Sequence, residues 1–136
     1  MYPQAERILV IDSDARRRQL SERILDAEGF AVTAVAEGFS AIRAAGRHRF
    51  ALAVAALHLP GTLDGPATLS QLRARQPWLR VLLTGDVAGR PLWPDSDCVD
   101  FISFPFDRRD LLGCVFELLQ RGDASGGAGP DRSRAG

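Results

Sequence analysis

The oxygen atoms best suited to bind a metal ion belong to three consecutive residues near the start of the chain, Asp12, Ser13 and Asp14. They follow the apolar run ILVI, which predicts a short buried strand. Because carboxylates are preferred ligands of Mg²⁺, a weak magnesium site at Asp12 is one interpretation. In the other, which we favour, Asp14 caps the next helix and Asp12 accepts hydrogen bonds from the loop after the last strand.

A second position where chemistry is expected lies in the stretch FALAVAALHLPGTLDG, residues 50–65. Its first eight residues are continuously apolar and predict a central strand that is buried on both faces of a parallel sheet. In such sheets, reacting groups lie just outside the carboxyl ends of the strands. The residues there are Ala56, Leu57 and His58, and residues 50–63 contain no carboxylate. The position best placed for a reactive group therefore carries a methyl group.

Composition indicates an ordinary globular domain and excludes several classes of function. The chain has 136 residues and is 46% hydrophobic, which predicts one domain with a real core. Its 17 basic residues balance 17 acidic ones, so charge gives no reason to expect nucleic acid or a membrane as partner. All of the basic residues are arginines, and a mechanism that needs a lysine amine is excluded.

The two cysteines and the N-terminus indicate a reducing compartment. Cys98 and Cys114 lack metal-ligand spacing and are expected to be small buried hydrophobes rather than a disulfide. The first residues contain early charges and an apolar run of only four residues, which is typical of neither a signal peptide nor a membrane anchor. We therefore expect a cytoplasmic protein without a cofactor.

Hydrophobic periodicity predicts alternating strands and helices in an ordered domain over residues 6–121. Apolar runs and Gly, Pro and Asp punctuation predict strands at 7–11, 31–35, 50–57, 79–84 and 99–104, and helices at 15–28, 38–45, 66–75 and 108–120, with a short or broken helix between the last two strands. This alternation predicts a doubly wound parallel α/β sheet. Residues 122–136 are rich in Gly, Ser, Asp and Arg, and predict a disordered tail.

Four sequence cues in this order resemble the receiver domain of bacterial response regulators, over about residues 6–120. They are ILVIDSD for the first strand and its acidic end, LHLPG with a following DG after the third strand, LLTG for the fourth, and FPF followed by DRRDLL for the fifth strand and last helix. The resemblance implies a flavodoxin-like fold of five βα units with strand order 2-1-3-4-5.

The resemblance also implies a site in which two acids hold Mg²⁺ and an aspartate takes a phosphoryl group from a histidine kinase. Asp12 matches the first acid, Ser13 stands where the second is expected, and Asp14 is one place too far along. Ala56, four residues before Pro60, stands at the phosphoacceptor position. His58 could serve as a surrogate acceptor, although a histidine in a loop is more simply a solvent-exposed side chain.

The remaining positions of the receiver site lie after the fourth and fifth strands. Thr84 matches the hydroxyl residue, and Phe101 matches the aromatic switch residue, although it is most simply core. Phe104 stands where a lysine is expected, before Pro105, and the resemblance implies a cis bond between these two. Exchanging both a buried anion and its buried cation for apolar groups leaves neither charge unpaired. The chain therefore resembles a degenerate pseudo-receiver.

These features predict a stand-alone signalling module of a two-component or phosphorelay pathway, which acts by phosphorylation-independent protein binding and is not an enzyme. Alternatives are a small ligand or nucleotide in the remodelled pocket, or phosphorylation at a non-standard residue. A DNA-binding regulator is less well supported, since no helix-turn-helix segment follows residue 120.

The expected partners are a histidine kinase or another response regulator. The candidate interface contains Trp93 and Phe101, and a homodimer would use the face of the fourth helix, fifth strand and last helix. The basic run 16–18 predicts a solvated face, or else a contact with an acidic partner.

Overall fold

The computed structural model describes residues 6–86 and 99–135, with side chains through Arg121. Its five strands form one sheet in the order β2-β1-β3-β4-β5, and every neighbouring pair is parallel. This order confirms the predicted flavodoxin-like topology. The strands are β1 (Arg7–Ile11), β2 (Ala31–Val35), β3 (Leu52–Ala56), β4 (Arg80–Gly85) and β5 (Val99–Ser103). The helices are α1 (Ala15–Ala27), α2 (Gly38–Ala45), α3 (Gly65–Arg75) and α4 (Arg108–Ala135).

Both faces of the sheet are buried because successive side chains of a strand point to opposite sides. In β1, Leu9 and Ile11 belong to a core cluster with residues of α2 and α3. Ile8 and Val10 belong to a second cluster with residues of α1 and α4. The central strands therefore have no solvated face, which explains why they are continuously apolar.

The central strand begins two residues later than the apolar run predicted. Its first pairing residue is Leu52. The backbone N–H of Phe50 donates to the side-chain oxygen of Gln76, at 2.8 Å, and not to a neighbouring strand. The amide group of Gln76 also donates to the carbonyl oxygens of Ala45 and His48, at 3.0 and 2.8 Å. This buried side chain ties the end of α3 to the connection between α2 and β3.

Aspartates cap three of the helices. Asp14 accepts from the backbone N–H three residues on at 3.0 Å, Asp64 does so at 3.0 Å and Asp107 at 2.9 Å. Gly29 follows α1 with a φ of 97°, a conformation that glycine adopts without a steric cost. The caps predicted at Asp14 and Asp107, and the helix end at Gly29, are confirmed.

The last helix continues through Ala135, beyond residue 120, where its end was predicted. Residues 122–135 are rich in Gly and contain no apolar face. The disordered tail predicted from this composition stays a prediction. The predicted fourth helical segment, Trp93 and Cys98 fall within 87–98, outside the described residues. None of the helices described is both long enough and apolar enough to span a bilayer.

Candidate functional site

The carboxylate of Asp12 lies buried at the carboxyl end of β1. Its backbone N–H donates to the carbonyl of Val35 at 3.1 Å, which extends the ladder between β1 and β2 by one residue. The residue is only 6% exposed. A carboxylate so placed needs hydrogen-bond donors or a cation, because an unpaired buried charge is strongly destabilising.

Arg17, in the first turn of α1, supplies that cation. Its Nε lies 3.0 Å from Asp12 Oδ2 and its Nη2 lies 3.1 Å from Oδ1, so that the pair is bidentate. The backbone N–H of Asp14 also donates to Asp12 Oδ1, at 2.9 Å. Three donors from the turn between β1 and α1 therefore hold both oxygens of the carboxylate. The prediction that its donors come from the loop after the last strand was wrong.

The basic run 16–18 is a solvated face only in part. Arg16 is exposed, but Arg17 turns back onto Asp12, and Arg18 Nη1 donates to the backbone carbonyl of Asp12 at 2.9 Å. Sequence reasoning missed both contacts. The useful indication was that the chain has no lysine, so a buried carboxylate at a strand end had to find an arginine.

Asp14 acts as a helix cap and faces solvent with Ser13. The backbone N–H of Arg17 donates to Asp14 Oδ1 at 3.0 Å and holds the pKa of that carboxyl below its usual value. Asp14 Oδ2 also lies 3.6 Å from Nη1 of Arg17. Of the predicted acidic group, only Asp12 is buried at the end of the sheet.

Phe104 lies against the same arginine from the other side. The guanidinium carbon of Arg17 is 4.1 Å from the centre of the Phe104 ring, within the range of a cation–π contact. The bond between Phe104 and Pro105 is cis, as the resemblance implied. Together with Leu20 and Phe106, these residues line a groove of about 270 Å³.

The end of β3 is packed with apolar groups. Ala56 is buried and lies opposite Thr84 of β4, and the backbone N–H of Leu57 donates to the carbonyl of Thr84 at 2.8 Å. Gly65 of α3 lies directly above, because a Cβ added there would come within 2.6 Å of the Ala56 carbonyl oxygen and 2.5 Å of that of Leu57. The start of α3 thus packs closely against the backbone at the end of β3.

Phe101 and Thr84 belong to the core side of this edge. Thr84 is buried, and the Phe101 ring packs over Gly85, with its Cε1 3.5 Å from the position of a Cβ on that glycine. Phe101 is half-buried and contacts the core cluster on the α2 and α3 face. Its inward orientation agrees with a core role; its interface role stays a prediction.

Two further candidates lie away from the pocket. His58 is exposed in the loop after β3, as expected of a loop histidine. Cys114 of α4 is a free thiol, packed against the core cluster on the α1 and α4 face. Burial raises the pKa of this thiol, so it is protonated at neutral pH.

The residues at this edge do not fit the Mg²⁺ ion that the receiver resemblance implies. Both oxygens of Asp12 are held by Arg17, Ser13 replaces the second acid, and Ala56 offers no ligand. Nowhere in residues 6–86 and 99–121 do three His, Cys, Asp or Glu side chains form a group that could hold a metal ion. The arrangement holds a buried carboxylate with a protein cation instead.

Comparisons with known proteins agree with this fold. The family model "Response regulator receiver domain" matches residues 8–116. The transcriptional regulatory protein TcrA of Mycobacterium tuberculosis is 31% identical over 119 residues, which are 85% of this chain and 47% of TcrA. The transcriptional regulatory protein ResD of Bacillus subtilis is 32% identical over 117 residues, which are 85% of this chain and 48% of ResD. The chain thus spans about half the length of the curated relatives it matches.

Solved receiver structures superpose over most of the chain. The receiver domain of the hybrid histidine kinase CckA gives a TM-score of 0.73 at 26% identity, covering 84% of this chain and 99% of that one. A receiver domain protein from Methanospirillum hungatei gives a TM-score of 0.77 at 21% identity, covering 90% and 99%, and supports the fold alone.

Proposed function

Because this chain belongs to the response regulator receiver family of two-component signalling, we propose that it is a pseudo-receiver, which acts by binding a protein partner without accepting a phosphoryl group. The observation that carries this proposal is the methyl group of Ala56, a residue that is buried at the end of β3. Phosphoryl transfer to a side chain needs a nucleophile at the reacting position. A methyl group cannot supply one.

The charge arrangement supports the same conclusion. Transfer of a phosphoryl group also needs cations that neutralise the oxygens of the transferred group. Phe104 stands at the position of the family lysine, and the nearby cation, Arg17, is bound to Asp12 and stacked on the Phe104 ring. The charges of the pocket are balanced internally, with no incoming phosphate.

A partner surface is available on the side of the sheet covered by α1 and α4. Leu20 of α1 is 44% exposed, and Phe116 of α4 is 42% exposed and lies 5.9 Å from the ring of Phe30. Contiguous apolar groups at a surface mark protein contacts, and the adjacent rings of Phe30 and Phe116 give this face such a pair. The proposed partner is a histidine kinase or another response regulator; a homodimer through the last helix and β5 is a further possibility of the same class.

The test of phosphorylation is direct. The protein is incubated with acetyl phosphate and Mg²⁺ and its intact mass is measured, beside a receiver domain that retains the aspartate. We expect the control to gain a phosphoryl group and this protein to keep its mass. A stable gain of one phosphoryl group would contradict the proposal, and its loss in His58→Ala would identify His58 as the non-standard acceptor.

Partner binding is tested on the same samples. Once a histidine kinase or response regulator from the native cell has been identified as a ligand, its affinity is measured by calorimetry with and without acetyl phosphate and Mg²⁺. We expect the same affinity in both conditions. An affinity that appears only with the phosphodonor would contradict phosphorylation-independent binding.

A second candidate function rests on the groove beside Arg17. Its volume of about 270 Å³ and its lining of Leu20, Phe104, Pro105 and Phe106 beside Arg17 suit a small, mainly apolar ligand. Thermal unfolding with a panel of small aromatic and aliphatic compounds tests this function, since a ligand of the folded state raises the melting temperature with concentration. A protein-binding module without a ligand site would show no such rise.

A further inference from the structure

The bidentate contact between Arg17 and Asp12 has a consequence for metal binding. We propose that Arg17 is the built-in counter-ion of this pocket, and that its guanidinium takes the carboxylate that a divalent cation would otherwise use. This inference deepens the proposed function and rests on it, since it explains how a receiver fold keeps its first acid without phosphoryl chemistry. The pocket is then independent of Mg²⁺.

The first step of the argument is the number of donors on Asp12. Arg17 Nε, Arg17 Nη2 and the backbone N–H of Asp14 all lie 2.9–3.1 Å from its two oxygens. A planar guanidinium matches a carboxylate with two parallel hydrogen bonds and is pre-organised to do so. A hydrated cation that approaches Asp12 must first displace this pair.

The second step is that Arg17 is held from several sides. Its own backbone N–H donates to Asp14 Oδ1, its Nη1 lies 3.6 Å from Asp14 Oδ2, and the Phe104 ring lies against its guanidinium. These contacts fix both ends of the side chain. A lysine in place of Phe104 would put a second cation against the guanidinium, so the aromatic residue and the arginine form a consistent pair.

The third step is the position of Arg17 in the helix. The first turn of α1 contains no acidic residue, although the dipole of a helix favours acids there and disfavours cations. A basic residue at this end needs a compensating contact. The buried carboxylate of Asp12 provides it for Arg17.

Arg18 is a matched control supplied by the chain. It is the next residue along α1 and also contacts Asp12, but it donates only to the backbone carbonyl, at 2.9 Å. Replacing Arg18 removes a positive charge from the same neighbourhood and leaves the carboxylate covered. Only the replacement of Arg17 uncovers the two oxygens.

The experiment uses Mn²⁺ alone as the probe, with free ion measured by electron paramagnetic resonance. We compare wild type, Arg17→Met, Arg18→Met and the double variant Arg17→Met with Asp12→Asn, after circular dichroism has shown that each is folded. We expect Arg17→Met to bind Mn²⁺ about 10-fold more tightly than wild type, because the positive charge that competes for Asp12 is gone. Arg18→Met should match wild type, and the double variant should lose the gain.

Two results would overturn the inference. Wild type could bind Mn²⁺ as tightly as Arg17→Met, or the gain could persist in the double variant. If Arg17→Met does not fold, paramagnetic broadening in the amide spectrum of wild type decides: selective broadening of Asp12 and Asp14 by low Mn²⁺ would show an open carboxylate. None of these measurements contains a phosphodonor, so failure here is distinct from a phosphoryl gain in the mass experiment.

Discussion

The guanidinium of Arg17 lies 4.1 Å from the centre of the Phe104 ring and thereby joins the start of α1 to the segment after β5. Either residue alone is unusual at its position: an arginine in a first helical turn, and a phenylalanine where the family resemblance expects a lysine. Arg17 pairs with the buried carboxylate of Asp12, and the ring of Phe104 packs on the guanidinium of Arg17. Variants of Phe104 therefore test how the pocket is balanced.

Replacing Phe104 by Lys brings a second positive charge to Arg17. We expect Phe104→Lys to lower the free energy of unfolding by about 1–3 kcal/mol, from lost packing and like-charge repulsion. Phe104→Leu, which loses only the ring, should cost about 1 kcal/mol, since the residue is half-buried. Urea unfolding measures both. The difference between them should shrink at high salt, because salt screens repulsion between partly exposed charges; a difference unaffected by salt would contradict the electrostatic explanation.

Restoring an acid at residue 56 should destabilise the fold. Ala56→Asp puts a carboxylate at a position that is 3% exposed, and Arg17 is already paired with Asp12, so we expect a loss of about 3–5 kcal/mol near neutral pH. Ala56→Asn has nearly the same shape and no charge, so it should cost less. The gap between the two should narrow as the introduced acid is protonated at lower pH. Equal stability of the two variants at neutral pH would show that the site can compensate a second anion.

Gly65 should not tolerate even a methyl group. In Gly65→Ala the new Cβ would lie 2.5–2.6 Å from two carbonyl oxygens of the strand end, so α3 must move, and we expect a loss of about 1–3 kcal/mol. Gly113→Ala is the matched control, since nothing lies within 4 Å of a Cβ there. In the middle of a helix this change should stabilise by about 0.5–1 kcal/mol. Thermal unfolding of both variants measures the contrast, and two changes of the same sign would contradict the packing described for α3.

Gln76 should contribute strongly to stability although it is polar. Gln76→Leu leaves the N–H of Phe50 and the carbonyls of Ala45 and His48 without the partners that Gln76 supplied. At about 1–3 kcal/mol for each buried group left unsatisfied, less any water that enters, we expect a net loss of about 2–5 kcal/mol. Hydrogen exchange of the Phe50 amide should accelerate. As a control, Gln71→Ala, on the exposed side of α3, should change the free energy of unfolding little. Exchange of the Phe50 amide in Gln76→Leu that stays as slow as in wild type would contradict the hydrogen bond between Gln76 and Phe50.

Acid should weaken the helix caps. Backbone N–H donors lower the pKa of Asp14 and Asp107 in the folded protein relative to the usual 3.8. Each group therefore binds protons more weakly folded than unfolded. Its contribution to stability is complete above the unfolded pKa and is lost as pH falls through the folded one. Unfolding followed from neutral pH to about pH 3 should show this loss, reduced in Asp107→Asn, because Asn caps a helix without titrating. If Asp107→Asn lost as much stability in acid as wild type, the proposed titration of the Asp107 cap would be contradicted.

The sheet could be predicted because its signals are local and repeated. Continuous apolar runs such as 50–57 indicate strands buried on two faces, and the aspartates before helices mark their starts. The order of the strands came from the family resemblance, and the structure confirms it. Prediction was poorer at the start of β3, which the apolar run places two residues early. The sequence also gives no sign that the side chain of Gln76 binds the backbone N–H of Phe50.

The sequence predicted which reactive group the candidate site lacks, but it did not predict the main contact of the site, the ion pair between Arg17 and Asp12. That Ala56 supplies no acid follows from residue type alone. That Arg17 rather than Arg16 binds Asp12 depends on which face of the first helical turn points at the strand end, and three adjacent arginines look alike in the sequence. Their shared charge predicted that all three side chains face solvent. Only the placement of β1 against α1 shows which of them reaches Asp12.

The carboxylate and its cation lie only five residues apart in the chain, within a single strand-to-helix turn. The ion pair is therefore local to this turn, and the ends of the other strands supply apolar groups around it. Apolar exchanges should be tolerated at those strand ends more readily than new charges, whereas a change at residue 12 or 17 leaves the other member of the pair without its partner. A saturation mutagenesis map of the domain would show this as broad apolar tolerance at the strand ends and strict coupling between positions 12 and 17.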